Sequence, residues 1–175
     1  IVVALLFGCS VTKPTGFKDV SLISYERMNC HLQDGSKPSV DKYVQIQCDG
    51  QSCNALCDGA NSTATRLRIH KNSTNNSACI QTLEDPTYVL KVNSLTQDLI
   101  FERGQCEEQS QFIFEQKRKL FKNGFHYKYT YQPMAKRHES PMRLECSCND
   151  IRLRLGMPNP NSNEDGSWFK FEYGN

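Results

Sequence analysis

The chain lacks the short motifs by which common enzymes are read from sequence. Its 175 residues contain no G-x-S-x-G, no H-E-x-x-H, no phosphate-cradling glycine loop and no EF-hand loop. The four histidines, His31, His70, His126 and His138, are scattered. A catalytic site is therefore expected only if it is assembled from distant residues in three dimensions. Long apolar runs are also missing, since none approaches the ~20 residues of a membrane-spanning helix. Net charge is only +2 at pH 7, too little to imply nucleic acid by itself. The best helix candidate, Glu107 to Lys122, has apolar residues at 112, 113, 114, 120 and 121, which do not form one helical stripe. Cys48, Cys53 and Cys57 lie close together and Cys146-Ser147-Cys148 is a C-x-C, but neither has the C-x2-C spacing of common structural zinc sites. No metal and no other cofactor is expected. No internal repeat and no domain boundary is visible, and a chain of this length fits one domain with a real core.

What is present points to the secretory route. Ile1 to Ser10 is apolar and uncharged, ends in small residues, and resembles the apolar core and cleavage site of a signal peptide truncated at its start. Cleavage after Ser10 would leave 11–175 as a single disulfide-rich domain and would remove Cys9. The eight cysteines that remain, Cys30, Cys48, Cys53, Cys57, Cys79, Cys106, Cys146 and Cys148, are an even set suited to about four disulfides, with 105 formal connectivities. Three N-x-S/T tripeptides begin at Asn61, Asn72 and Asn75 in a stretch rich in Asn, Ser and Thr, and mark candidate glycan acceptors.

Short alternating segments dominate the rest. Strands are expected over Asp19–Glu26, Tyr43–Cys48, Arg66–His70, Cys79–Leu83, Thr87–Val92, Asp98–Glu102, Met142–Cys148, Ile151–Leu155 and Trp168–Tyr173. In Tyr43–Cys48, Val44, Ile46 and Cys48 share parity, which predicts a sheltered Cys48. Leu67 and Ile69 are expected inward. Met142, Leu144, Cys146 and Cys148 share a face, so Cys146 and Cys148 should each bond elsewhere. Asp49 to Ala60, with two Asp-Gly pairs, reads as too polar and Gly-rich for a regular element. With the hairpin below, about eleven strands are expected, the pattern of an all-β antiparallel sandwich or barrel.

The strongest local signal is Gln111 to Gln132, where Asn123-Gly124 separates two arms that favour β structure. A two-residue Asn-Gly turn suits a type I′ hairpin because both central residues need positive φ. That turn sets Leu120 opposite Tyr127, Arg118 opposite Tyr129, Phe121 opposite His126 and Lys119 opposite Lys128. One face then carries Phe125, Tyr127, Tyr129 and Tyr131 toward the core. Like charges directly opposed are destabilising unless water or a bound anion relieves them. Lys117, Arg118, Lys119, Lys122, His126, Lys128, Lys136 and Arg137 make a basic patch with no acid between Lys117 and Arg137, a pattern suited to polyanions. The acidic pairs Glu84-Asp85 and Glu107-Glu108 and the run Asn163-Glu164-Asp165-Gly166 read as solvated loop charge.

The expected function is that of a secreted, disulfide-stabilised glycoprotein acting as a non-enzymatic binding or extracellular-matrix component. Its partners would be a sulfated glycan, an acidic matrix protein or another extracellular protein, with no nucleic acid and no membrane span. The alternatives are a secreted enzyme inhibitor or hydrolase with a site formed only in the fold, and a small-ligand carrier with an apolar cavity.

Overall fold

Three successive groups of four strands build the described part of this computed structural model. It describes residues 16–24, 27, 42–50, 52–72, 77–107, 110–121, 124–133, 142–157 and 169–174, and the backbone alone for 16–18, 111, 114–121 and 124–133. The first group is β1 (Gly16–Ser24), β2 (Tyr43–Asp49), β3 (Ser52–Gly59) and β4 (Leu67–Asn72). The second is β5 (Ser77–Thr82), β6 (Tyr88–Val92), β7 (Leu99–Arg103) and β8 (Gln111–Phe121). The third is β9 (Gly124–Pro133), β10 (Arg143–Glu145), β11 (Arg154–Gly156) and β12 (Phe169–Tyr173).

Antiparallel pairing runs β1–β4–β5–β8–β9–β12 and returns from β12 to β1, closing a six-stranded barrel. The other six strands are three hairpins, β2–β3, β6–β7 and β10–β11. Because β1 also pairs with β2, β3 with β7 and β5 with β6, a second closed course of seven strands passes through the first two hairpins. A six-stranded barrel with one hairpin in each of three four-strand units is a β-trefoil topology. Of the expected all-β sandwich or barrel, the barrel is found, and although no repeat is visible in the sequence, the four-strand unit repeats in topology.

The three hairpins meet along residues 151–155. Cys57 and Ala55 of β3 exchange backbone hydrogen bonds with Ile151 and Leu153, at 2.6 and 2.8 Å, and Leu99 of β7 donates to Leu153 at 2.9 Å. Leu155 donates to the Gln97 carbonyl at 3.0 Å. The core fills the space between this junction and the barrel wall, with Val20, Leu67, Ile69, Ile80, Phe101, Phe112, Leu153 and Phe169 essentially inaccessible to solvent. Leu67 and Ile69 face inward as expected.

Asp19 interrupts β1 as a bulge. Its φ of 60° lies in the left-handed region, which aspartate tolerates better than most residues. Its carbonyl accepts from Arg66 Nη2 and the Gly174 N–H, each at 2.9 Å, and its carboxylate pairs with Arg66 Nε at 2.6 Å.

Several expectations change at this level. Asp49 to Ala60 is not irregular: β3 occupies most of it, with Cys53, Ala55 and Cys57 buried and Ser52 and Asn54 exposed. The alternation is of small side chains, which suits a strand crowded by the other hairpins. Gly50, at φ 74°, makes the turn, whereas Gly59 is a strand residue where a Cβ would lie 3.0 Å from the Tyr43 carbonyl oxygen. Cys48 is exposed rather than sheltered, because β2 runs out of the core toward that turn.

The hairpin register also differs. Phe121 pairs with Gly124, Leu120 with Phe125, Lys119 with His126, Arg118 with Tyr127 and Lys117 with Lys128. Each pair is displaced by two residues from the Asn-Gly expectation. The barrel neighbours fix this register from outside the turn, since β8 must also pair with β5 and β9 with β12. A two-residue shift preserves the faces, and Phe112 lies in the core on the parity expected to face it.

Three disulfides join described residues: Cys48–Cys53 across β2 and β3, Cys57–Cys146, and Cys79–Cys106. Cys148 is disulfide-bonded too, and Cys146 does not bond it, as its parity predicts. Cys30 and residues 1–10 lie outside the described residues.

Candidate functional site

Strand β8 brings Lys117, Arg118 and Lys119 into the barrel wall, and β9 brings His126 and Lys128 beside them. Lys117 stands directly opposite Lys128, and Lys119 opposite His126, with Arg118 at the alternate register facing Tyr127. The two opposed basic pairs are separated by one strand repeat and belong to one face of the sheet. Lys122, Lys136 and Arg137 lie outside the described residues.

A second feature was not anticipated. A groove of about 400 Å³ opens between the loop joining β3 to β4 and the turn joining β5 to β6. Ser62, Thr63, Arg66, Glu84, Asp85 and Tyr88 contribute its polar lining. Its walls are tied together: Leu83 donates to the Arg66 carbonyl at 2.8 Å, Ile46 to Thr65 Oγ1 at 2.9 Å, and Thr82 Oγ1 to the Asp85 carbonyl at 2.6 Å. Asp85 is engaged locally, accepting from the Thr87 hydroxyl at 2.6 Å and N–H at 3.1 Å. Those bonds, helped by Arg103, hold its carboxyl below the usual carboxylate range. Arg103 lies 5.1 Å from the centroid of the half-buried Tyr88 ring. Glu84 is exposed and makes no hydrogen bond or ion pair among the described residues. The acidic pair at 84–85 thus divides into one engaged and one open carboxylate. The groove escapes sequence reading because its two loops are joined only by the barrel.

A charged cluster sits where the hairpins meet. Asp150 accepts from Arg152 Nη2 at 2.8 Å and Arg154 Nη1 at 3.2 Å, while Asp98 pairs with Arg154 Nε at 3.0 Å and Arg152 Nη1 at 3.4 Å. All four side chains are mutually neutralised, so this is a clamp rather than an open site.

Asn61 lies exposed in a turn, with Thr63 Oγ1 accepting from the Ala60 N–H at 3.0 Å. Asn72 is the exposed last residue of β4, and Asn75 lies outside the described residues. So do Glu108 and Asn163-Glu164-Asp165-Gly166. Among the described residues no cluster of His, Cys, Asp and Glu is arranged to hold a metal ion, and no helix is long and apolar enough to cross a membrane.

No protein-family model matches the chain, and no curated protein sequence matches it. A solved structure of a mosquitocidal holotoxin is similar in fold, with a TM-score of 0.60 at 15% identity over 94% of this chain. The chain spans 18% of that toxin's length, so the similarity is that of one module and concerns the fold alone.

Proposed function

We propose that this protein is a secreted, disulfide-stapled glycoprotein that acts by binding, as an extracellular-matrix or other extracellular component, and that the β8–β9 hairpin is its surface for polyanions. The observation that carries the reading is the register placing Lys117 opposite Lys128 and Lys119 opposite His126. Directly opposed cations cost stability, and an anion bound across them recovers it, so the arrangement rewards a repeating negative ligand such as a sulfated glycan. The disulfides support an oxidising compartment, where such ligands are found.

The test is retention of the oxidised protein on immobilised heparin across a salt series, beside Lys117→Glu/Lys119→Glu/Lys128→Glu. Wild type should elute well above ~0.15 M salt and the triple variant well below it, since each released counterion adds to the salt dependence. Co-elution of both at low salt would refute the polyanion surface.

A further inference from the structure

We infer that the groove between the β3–β4 loop and the β5–β6 turn is the seat of a glycan carried by this chain's own Asn61. The inference rests on the secreted-glycoprotein reading and adds to it where the sugar goes and why.

Asn61, Ser62 and Thr63 form one N-x-S/T tripeptide, and the second and third of these residues line the groove. A sugar attached to the exposed Asn61 side chain therefore starts at the rim of a concavity rather than in open solvent. The groove's chemistry suits an N-acetylhexosamine. Tyr88 lines the groove half-buried against the core with the Arg103 guanidinium over its ring, 5.1 Å from the centroid, so the pair gives the groove an ordered aromatic and cationic wall for a pyranose to pack against. Glu84 supplies an uncommitted carboxylate that can accept from sugar hydroxyls or the acetamide N–H. The volume of about 400 Å³ is at the small end of ligand pockets and fits one or two saccharide units. The occupant is covalently tethered, so even weak contacts are populated: attachment makes the association intramolecular. Hydrogen bonds hold the walls in place before any sugar arrives, including Leu83 N–H to the Arg66 carbonyl at 2.8 Å, so little ordering is needed on docking.

The experiment uses the full chain secreted from a eukaryotic host. Glycopeptide mass spectrometry first reads occupancy at Asn61, Asn72 and Asn75. The native protein is then treated with an endoglycosidase that cuts between the two core N-acetylglucosamines. Release from Asn61 should be several-fold slower in wild type than in Tyr88→Leu and Glu84→Gln, and the difference should vanish after denaturation. Glu84 is exposed, so its variant keeps the test valid if Tyr88→Leu fails to fold. Equal release from wild type and the folded variants would overturn the inference. So would an empty Asn61 beside an occupied Asn72. If none of the three asparagines is occupied, the glycoprotein reading falls with it, whereas the heparin measurement stands or falls on the hairpin lysines alone.

Discussion

Asp98 and Asp150 share Arg152 and Arg154 at the point where the three hairpins converge, and the sharing is what gives these partly buried charges weight. A lone surface ion pair contributes little, but here each carboxylate meets two guanidinium groups at 2.8 to 3.4 Å. Arg152 side-chain hydrogen bonds, followed by its backbone N–H, hold the Asp150 carboxyl well below the usual aspartate range. A carboxyl with a depressed folded-state pKa stabilises fully above its unfolded value of about 4, and the contribution fades as pH falls below it. Asp150→Asn should therefore lower the melting temperature by about 2–4 °C near pH 7, corresponding to roughly 1 kcal/mol. Thermal unfolding at pH 7, 4 and 3 checks this: the gap between wild type and variant should narrow steadily below pH 4. A gap independent of pH would mean that packing, not charge, accounts for the loss.

Among the elements, the β8–β9 hairpin shows what a local signal can and cannot settle. Asn123-Gly124 marks a hairpin because of backbone φ preferences, and the hairpin is there. The register, however, is decided by strands the local sequence does not contain: Ser77 to Cys79 pair with Gln111 to Ile113, and Phe169 pairs with Tyr129. Parity survived because alternation is a property of each strand by itself. The same limit explains β3, where Cys53, Ala55 and Cys57 alternate inward but are too small to register as an apolar strand. The basic site was legible as a cluster of residue types, and its opposed pairs were not. The observed register makes its own prediction. Lys117→Glu places an acid directly opposite Lys128 and should raise stability by about 0.2–1 kcal/mol, roughly 1–3 °C in melting temperature. Lys119→Glu, opposite His126, should do less at pH 7.5. Melting curves of the two variants decide it, and a larger gain from Lys119→Glu would restore the Asn-Gly register.

At the scale of the molecule, the three-unit plan was hidden because its connections are unequal. The link from β1 to β2 spans residues 25–42, the equivalent link from β5 to β6 only 83–87, and that from β9 to β10 134–142. Strand alternation repeats in every all-β chain, so with the spacing broken no period remained to detect. The same plan ranks the disulfides. Cys57–Cys146 ties the first unit to the third over a separation of 89 residues, whereas Cys48–Cys53 joins neighbours only 5 apart, across a pair already in register. Cross-linking removes unfolded-chain entropy in proportion to the logarithm of loop length, worth about 4–5 kcal/mol for the long closure and roughly 2 kcal/mol for the short one. Both cysteines of the long bridge are inaccessible to solvent, so its removal also leaves a defect where the hairpins meet, while Cys48 is exposed. Cys57→Ala/Cys146→Ala should accordingly lower unfolding free energy by at least twice as much as Cys48→Ala/Cys53→Ala, measured by urea denaturation of oxidised protein with slopes compared. Equal losses would show that the β2–β3 hairpin depends on its own bridge and that the junction of the three units holds without a covalent tie.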